Sequence, residues 1–158
     1  MATHTSHSPA ETAALGEAWG RAAESGLVIG LCGDLGAGKT QFVKGLARGL
    51  GIAERVHSPT FALVNIYNGG RLTLFHLDLY RLDTPRQIAA AGLEDYLSPA
   101  GVSVIEWAER WFGPDQGPKS YVQRPTSAAT GLPEGFRMVQ IEVLSESERR
   151  ISYEDSGT

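Results

Sequence analysis

Gly33-Asp34-Leu35-Gly36-Ala37-Gly38-Lys39-Thr40 is the stretch of this chain whose residue types and spacing carry the most specific chemistry. It satisfies G-x-x-x-x-G-K-[ST] at every position, the pattern of a loop that cradles nucleotide phosphates. Each fixed position has a physical reason. Gly33 and Gly38 let the backbone turn where a side chain would meet phosphate. The N–H groups of the loop, with the N-terminus of a helix behind them, face anionic oxygens. Lys39 supplies positive charge to the β- and γ-phosphates, and the Thr40 hydroxyl is a ligand for Mg2+. A dinucleotide loop is excluded, because Gln41 stands where the third glycine of G-x-G-x-x-G belongs.

Phosphoryl chemistry also needs a carboxylate, and two compete for the role. Glu106 ends the apolar run Val102-Ser103-Val104-Ile105, at the C-terminal end of a strand, where α/β proteins place their ligands. Asp78 ends the similar run Leu74-Phe75-His76-Leu77. Spacing does not separate them, and both could serve, one on the metal and one on the attacking water or a partner. Strand alternation puts Leu72, Leu74, His76 and Asp78 on one face. His76 and Asp78 there form either a site or a solvated pair. In Ser58-Pro59-Thr60-Phe61 the Ser-Pro step enforces an extended turn. Its hydroxyls, Ser58 and Thr60, fit either a loop that senses the γ-phosphate or an ordinary turn.

The flanking elements give the phosphate loop its expected context. Leu27 to Cys32 is apolar and reads as a buried parallel strand. After the loop, Phe42, Val43, Leu46 and Leu50 recur at helical spacing, and Gly49 and Gly51 signal the stop. Upstream, Ser8 is an N-cap, Pro9 the first helical residue, and Glu11 the fourth member of a Ser-x-x-Glu box. Ala14, Leu15, Ala18, Trp19 and Ala22 form the apolar stripe of that helix. Residues 1–7 are polar and are expected to be a flexible tail, with His4 and His7 as weak metal candidates. Phe61 to Asn68 and Arg71 to Asp78 read as strands joined by a two-residue Gly69-Gly70 turn. Thr84-Pro85-Arg86-Gln87 opens a helix with a second capping box, Gly92 ends it, and Leu93 to Leu97 follows as a short turn. Residues 113–135 are rich in Gly, Pro, Ser and Thr and read as a long loop. Arg137 to Leu144 and Arg149 to Tyr153 alternate as strands, the last on an edge, with a tail at 155–158. The expected whole is a single α/β domain over residues 8–154, a mixed sheet with an antiparallel hairpin, flanked by helices.

Bulk properties narrow the function. A chain of 158 residues holds one domain with a real core. A formal net charge of −4 argues against gripping nucleic acid alone. The single cysteine, Cys32, excludes an internal disulfide and, in a buried strand, is packing. No stretch is apolar enough to span a membrane and no secretory pattern opens the chain, so the cytoplasm is the expected location.

Four blocks together resemble one family. The phosphate loop, Ser58-Pro59-Thr60-Phe61, His76-Leu77-Asp78-Leu79-Tyr80-Arg81-Leu82 and Ile105-Glu106-Trp107 resemble the TsaE (YjeE) family of bacterial ATPases, in order and spacing over residues 8 to 112. The phosphate loop is common to many families; the His-x-Asp-Leu-Tyr-Arg-Leu and Glu-Trp blocks are specific. The resemblance implies a P-loop ATPase fold and support of threonylcarbamoyladenosine formation in tRNA, at the adenosine beside the anticodon. It implies two protein partners, TsaB and TsaD, with TsaD carrying the transferase chemistry and tRNA met only through the complex. It implies ATP on Gly33 and Gly36 to Gln41, with Thr60, Asp78 and Trp107 around it and Mg2+ on Thr40 and Glu106. Lys39, Asp78 and Glu106 then carry the catalysis, slowly in the isolated protein. The start of the first helix, Ala10 to Thr12, is implied near the adenine, and Arg149 or Arg150 near the nucleotide.

The chain departs from the family pattern at Gln41, in place of a second hydroxyl residue, at Ala108, in place of Pro, and in the long 113–135 stretch. The alternative reading is a small-molecule P-loop kinase, whose lid only residues 113–135 could supply. A GTP-dependent switch lacks its Asn-Lys-x-Asp block. An ATP-gated scaffold, which would need no hydrolysis, completes the alternatives.

Overall fold

Along β2 (Leu27–Cys32) successive side chains go to opposite sides: Ile29 and Leu31 join one apolar cluster, and Val28 and Cys32 join another. A strand covered on both faces must be apolar throughout, which is how this segment reads. The structure is a computed structural model, and it describes residues 2–33, 38–59, 62–112 and 136–155.

The sheet has seven strands. In chain order they are β1 (Ala2–Ser6), β2, β3 (Val64–Tyr67), β4 (Leu74–Asp78), β5 (Val102–Glu106), β6 (Phe136–Val143) and β7 (Arg149–Asp155). Their spatial order is β1-β7-β6-β2-β5-β4-β3. The central neighbours β6, β2, β5 and β4 run parallel, and the margins are antiparallel: β3 on β4, β7 on β6 and β1 on β7. The parallel centre brings the C-terminal ends of β2, β4 and β5 to one edge.

Helices α1 (Pro9–Ala22) and α2 (Lys39–Gly49) cover one face, through Trp19, Phe42, Val43, Leu46 and Leu50. They cross at the closest distance that backbone allows. A Cβ on Gly45 would collide with the Ala13 carbonyl, and one on Gly16 with the Phe42 carbonyl. Arg48 closes the top of the crossing on Glu17 at 2.5 Å, and that bond holds the Glu17 carboxyl below its ordinary range. The opposite face is covered by α3 (Pro85–Ala90), a 3-10 turn (Leu93–Leu97) and α4 (Glu109–Phe112), which contribute Ile88, Leu93, Leu97 and Trp111. Thr84 and Gln87 form both arms of the expected capping box, and the Ser8 hydroxyl accepts from the Glu11 N–H at 3.1 Å.

Several sequence expectations change. Residues 2–6, expected within a flexible tail, form β1, paired residue for residue with β7 from Ala2↔Tyr153 to Ser6↔Arg149. The free hydrogen-bonding edge of β7 supplies the partner that polar residues need. β7 is therefore not an edge, and it extends to Asp155, into the expected C-terminal tail. His4 lies in that ladder, and the His7 imidazole contacts Glu148 at 3.0 Å. Among the described residues no group of three or more His, Cys, Asp or Glu side chains is placed to hold a metal ion. Gly69-Gly70 does not close a two-residue hairpin. The strands end at Tyr67 and start again at Leu74, because the connection docks on α2: the Arg71 N–H donates to the Leu50 carbonyl at 2.7 Å. No described helix is long and apolar enough to cross a membrane. The 113–135 segment lies outside the described residues.

Candidate functional site

The site begins where β2 hands over to α2. Gly33 follows β2 with φ 147°, and Gly38 is the N-cap of α2 with φ 105°, both in the region that favours glycine. Lys39 is the first residue of α2, although the periodicity alone starts the helix only after Thr40. Its ammonium is folded back on the loop: Nζ donates to the Gly33 carbonyl at 2.5 Å and lies 3.9 Å from the centre of the Trp107 ring. Burial pushes the Lys39 ammonium below its ordinary value, and the Glu109, Glu106 and Asp78 carboxylates pull the other way. Gly36, Ala37 and Thr60 lie outside the described residues.

The sheet supplies the carboxylates. In the parallel ladder of β4 and β5, Asp78 and Glu106 are register partners, so both acids stand side by side at the strand ends, each 3% exposed. Their surroundings differ. The Thr40 hydroxyl donates toward Glu106, 3.2 Å from Oε1 and 3.3 Å from Oε2, while His76 Nε2 is 2.5 Å from Oε2. Asp78 instead accepts from the Ser58 hydroxyl at 2.7 Å and from the Tyr80 N–H at 2.9 Å. The two acids, equivalent on spacing, differ in what they touch: Glu106 meets the phosphate-loop hydroxyl, and Asp78 meets the Ser58 loop.

Trp107, directly after Glu106, has φ 61°. A bulky residue in that region is an uncommon conformation that its surroundings must hold. The turn aims the indole at Lys39 on one side, while Tyr80 packs at 5.1 Å and the Arg110 guanidinium at 5.4 Å. Arg81 is exposed on the turn after β4.

A cleft opens beside Gly38 and Gln41. It is walled by Ser8 and Thr12 at the start of α1 and by Glu146 and Arg149 of the β6–β7 hairpin. The start of the first helix and Arg149 thus line one cleft with the N-terminus of α2. Arg150 points elsewhere and contacts Glu142 at 3.3 Å.

Hard oxygen donors suit Mg2+. The Thr40 hydroxyl and Glu106 carboxylate present such a set within one hydrogen bond of each other, with Asp78 alongside, so the residues fit the metal. Two site residues had no assigned role from sequence. His76 was readable as sharing a face with Asp78, but its partner across the sheet was not. Glu109 has one carboxylate oxygen buried without a partner and the other 3.5 Å from the Gly33 N–H. Nothing in its spacing signalled that contact.

Fold and site define a single α/β domain built on a strand, glycine loop and helix, with two buried acids at the neighbouring strand tips. The family model described as "Threonylcarbamoyl adenosine biosynthesis protein TsaE" matches residues 6–131. The chain belongs to the TsaE family. A tRNA threonylcarbamoyladenosine biosynthesis protein TsaE of Treponema pallidum is 42% identical over 147 residues, 93% of this chain and 96% of that protein. The protein of the same name in Bacillus subtilis is 46% identical over 100 residues, 63% of this chain and 62% of its own length. That match therefore spans less than two thirds of the relative. The crystal structure of Bacillus subtilis YdiB superposes with a TM-score of 0.73 at 32% identity, over 99% of this chain and 86% of that one.

Proposed function

We propose that this chain is a P-loop ATPase that binds ATP with Mg2+ and hydrolyses it in support of threonylcarbamoyladenosine formation in tRNA. The modified position is the adenosine beside the anticodon, and the chain acts in the cytoplasm with TsaB and TsaD, meeting tRNA only through that complex. The observation that carries the ATPase reading is the contact between Thr40 at the start of α2 and Glu106 at the end of β5, with Asp78 in register beside it. The names of the relatives carry the tRNA reading.

Each residue then has one task. The loop from Gly33 to Gly38 and the first turn of α2 hold phosphate through backbone N–H groups. Lys39 is buried beside the loop, so its charge acts with little screening on the negative charge that develops in phosphoryl transfer. Thr40 and Glu106 hold Mg2+. The cation, when bound, offsets charge on the phosphoryl oxygens. Asp78, oriented by the Ser58 hydroxyl and the Tyr80 N–H, orients the attacking water or accepts its proton. The nucleoside seats in the cleft between the start of α1 and the β6–β7 hairpin, against Gln41 and Arg149. Trp107 fixes Lys39 from the side.

The test is mass spectrometry of tRNA nucleosides from the host after depletion of this protein. Threonylcarbamoyladenosine is expected to fall, and wild type but not Lys39→Ala is expected to restore it. An unchanged nucleoside overturns the tRNA reading. Undiminished ATP affinity in Lys39→Ala overturns the phosphate-loop assignment, and a wild-type hydrolysis rate for Asp78→Asn in the assembled complex overturns the role of Asp78.

A further inference from the structure

None of the tasks assigned above falls to His76. Its side chain is fully buried at 0% exposure. A buried imidazole needs a reason, since its polar atoms leave water and must find partners. Nδ1 finds none. Nε2 lies 2.5 Å from Glu106 Oε2, so the imidazole is committed to a single bond. With Glu106 as a carboxylate, which only accepts, Nε2 is the donor of that bond.

The sheet sets this contact. His76 is the register partner of Val104, and Glu106 lies two residues further along β5 on the same face, which makes the pair diagonal neighbours. Packing alone does not call for histidine here. Leu74 and Leu77 on the same strand are fully buried without a polar atom, and a leucine at 76 would leave no Nδ1 orphaned.

We propose that His76 is a positioning residue for Glu106. Its Nε2–H holds Oε2, which fixes the carboxylate plane and directs Oε1, together with Thr40 Oγ1, at the divalent cation of the nucleotide. The inference rests on the reading of Glu106 as the cation-side carboxylate. Hydrogen-bond partners of metal-binding carboxylates commonly set metal affinity without touching the metal.

The test uses the full chain and a fluorescent N-methylanthraniloyl-ADP, titrated with Mg2+ and, separately, in EDTA. For His76→Leu the half-saturating Mg2+ concentration is expected to rise about tenfold, the lower end for such partners. Affinity in EDTA is expected to stay at the wild-type value. His76→Gln, whose amide N–H2 reaches the Nε2 position, is expected to recover most of the Mg2+ response. A cooperative thermal transition is recorded first. If His76→Leu does not fold, His76→Asn takes its place, since its shorter amide keeps a polar group but does not reach Glu106.

An unshifted Mg2+ response in the variant overturns the proposal. So does an equal loss of affinity in Mg2+ and EDTA, which marks a purely structural role. Glu106→Gln is measured in parallel. If it too keeps the wild-type Mg2+ response, the reading of Glu106 itself has failed. If it loses the response while His76→Leu keeps it, only the role of His76 has failed.

Discussion

Leu74 and His76 lie two residues apart on β4, as do Val104 and Glu106 on β5, on the sheet face that carries α2. All four are buried. The first of each pair packs into the cluster formed with Phe42 and Leu46, and the second enters a polar network with Thr40. Burial is the same in both regions, yet one is packed core and the other is the polar network of the candidate site. The difference lies in what α2 presents. Its middle offers apolar side chains and glycines at the crossing with α1, whereas its N-terminus offers Lys39, Thr40 and the N–H groups of a first turn. A polar pair is tolerated two residues beyond the apolar one because Glu106 meets Thr40 at the helix end and His76 meets Glu106.

The contrast predicts a gradient of stability effects. The largest belongs to the apolar half: Leu74→Ala is expected to cost about 3 to 4 kcal/mol in urea unfolding, as lost burial plus a cavity. A loss below 1 kcal/mol would mean that this half of the face is not the packed one. Next, Gly45→Ala is expected to cost about 2 to 3 kcal/mol, because its Cβ meets the Ala13 backbone and α1 must move away. The shift is checked by the urea midpoint, and the cleft between α1 and Gln41 should weaken nucleotide binding along with it.

A smaller effect comes from the end of β2. Burial pushes the Cys32 thiol up from its ordinary value of 9.0. The unfolded thiol ionises above that pH and the folded one stays protonated, so the unfolded state loses the proton first and stability falls as pH rises. About 1.4 kcal/mol is expected to disappear from the wild type relative to Cys32→Ala between pH 7 and pH 10. Parallel stability curves for the two proteins would refute it. The smallest stability effect is assigned to the polar half. Glu106→Gln, which keeps the shape and removes a charge beside Asp78, is expected to change stability by no more than about 1 kcal/mol. Its effect should appear instead as loss of the Mg2+ response in nucleotide binding. A loss matching that of Leu74→Ala would erase the distinction between the two regions.

Much of this arrangement was already local in the chain. The phosphate loop is contiguous, so its pattern, the strand before it and the helix after it are visible without a fold. Ser8 and Thr84 declare their helices, because a cap bonds to backbone only three residues away. The antiparallel pair β3–β4 follows from alternating residues close in sequence, although not its turn, which the docking of Arg71 on Leu50 decides. The family blocks at 76–82 and 105–107 were likewise legible as words.

What the tertiary structure decided was every relation between distant words. The sequence left Asp78 and Glu106 equivalent on spacing; the ladder between β4 and β5 puts them side by side, and the start of α2 then selects Glu106 for Thr40. His76 could be seen to share a face with Asp78, but its bond reaches 30 residues along the chain to Glu106, and no local pattern encodes a diagonal contact between strands. Residues 2–6 read as a tail because Ala2 alone among them is apolar, and only the open edge of β7 makes them a strand. Local chemistry depends on backbone within a few residues and is written in order along the chain. The pairing of acids, histidine and helix end depends on strand order and register, which exist only once the sheet has formed.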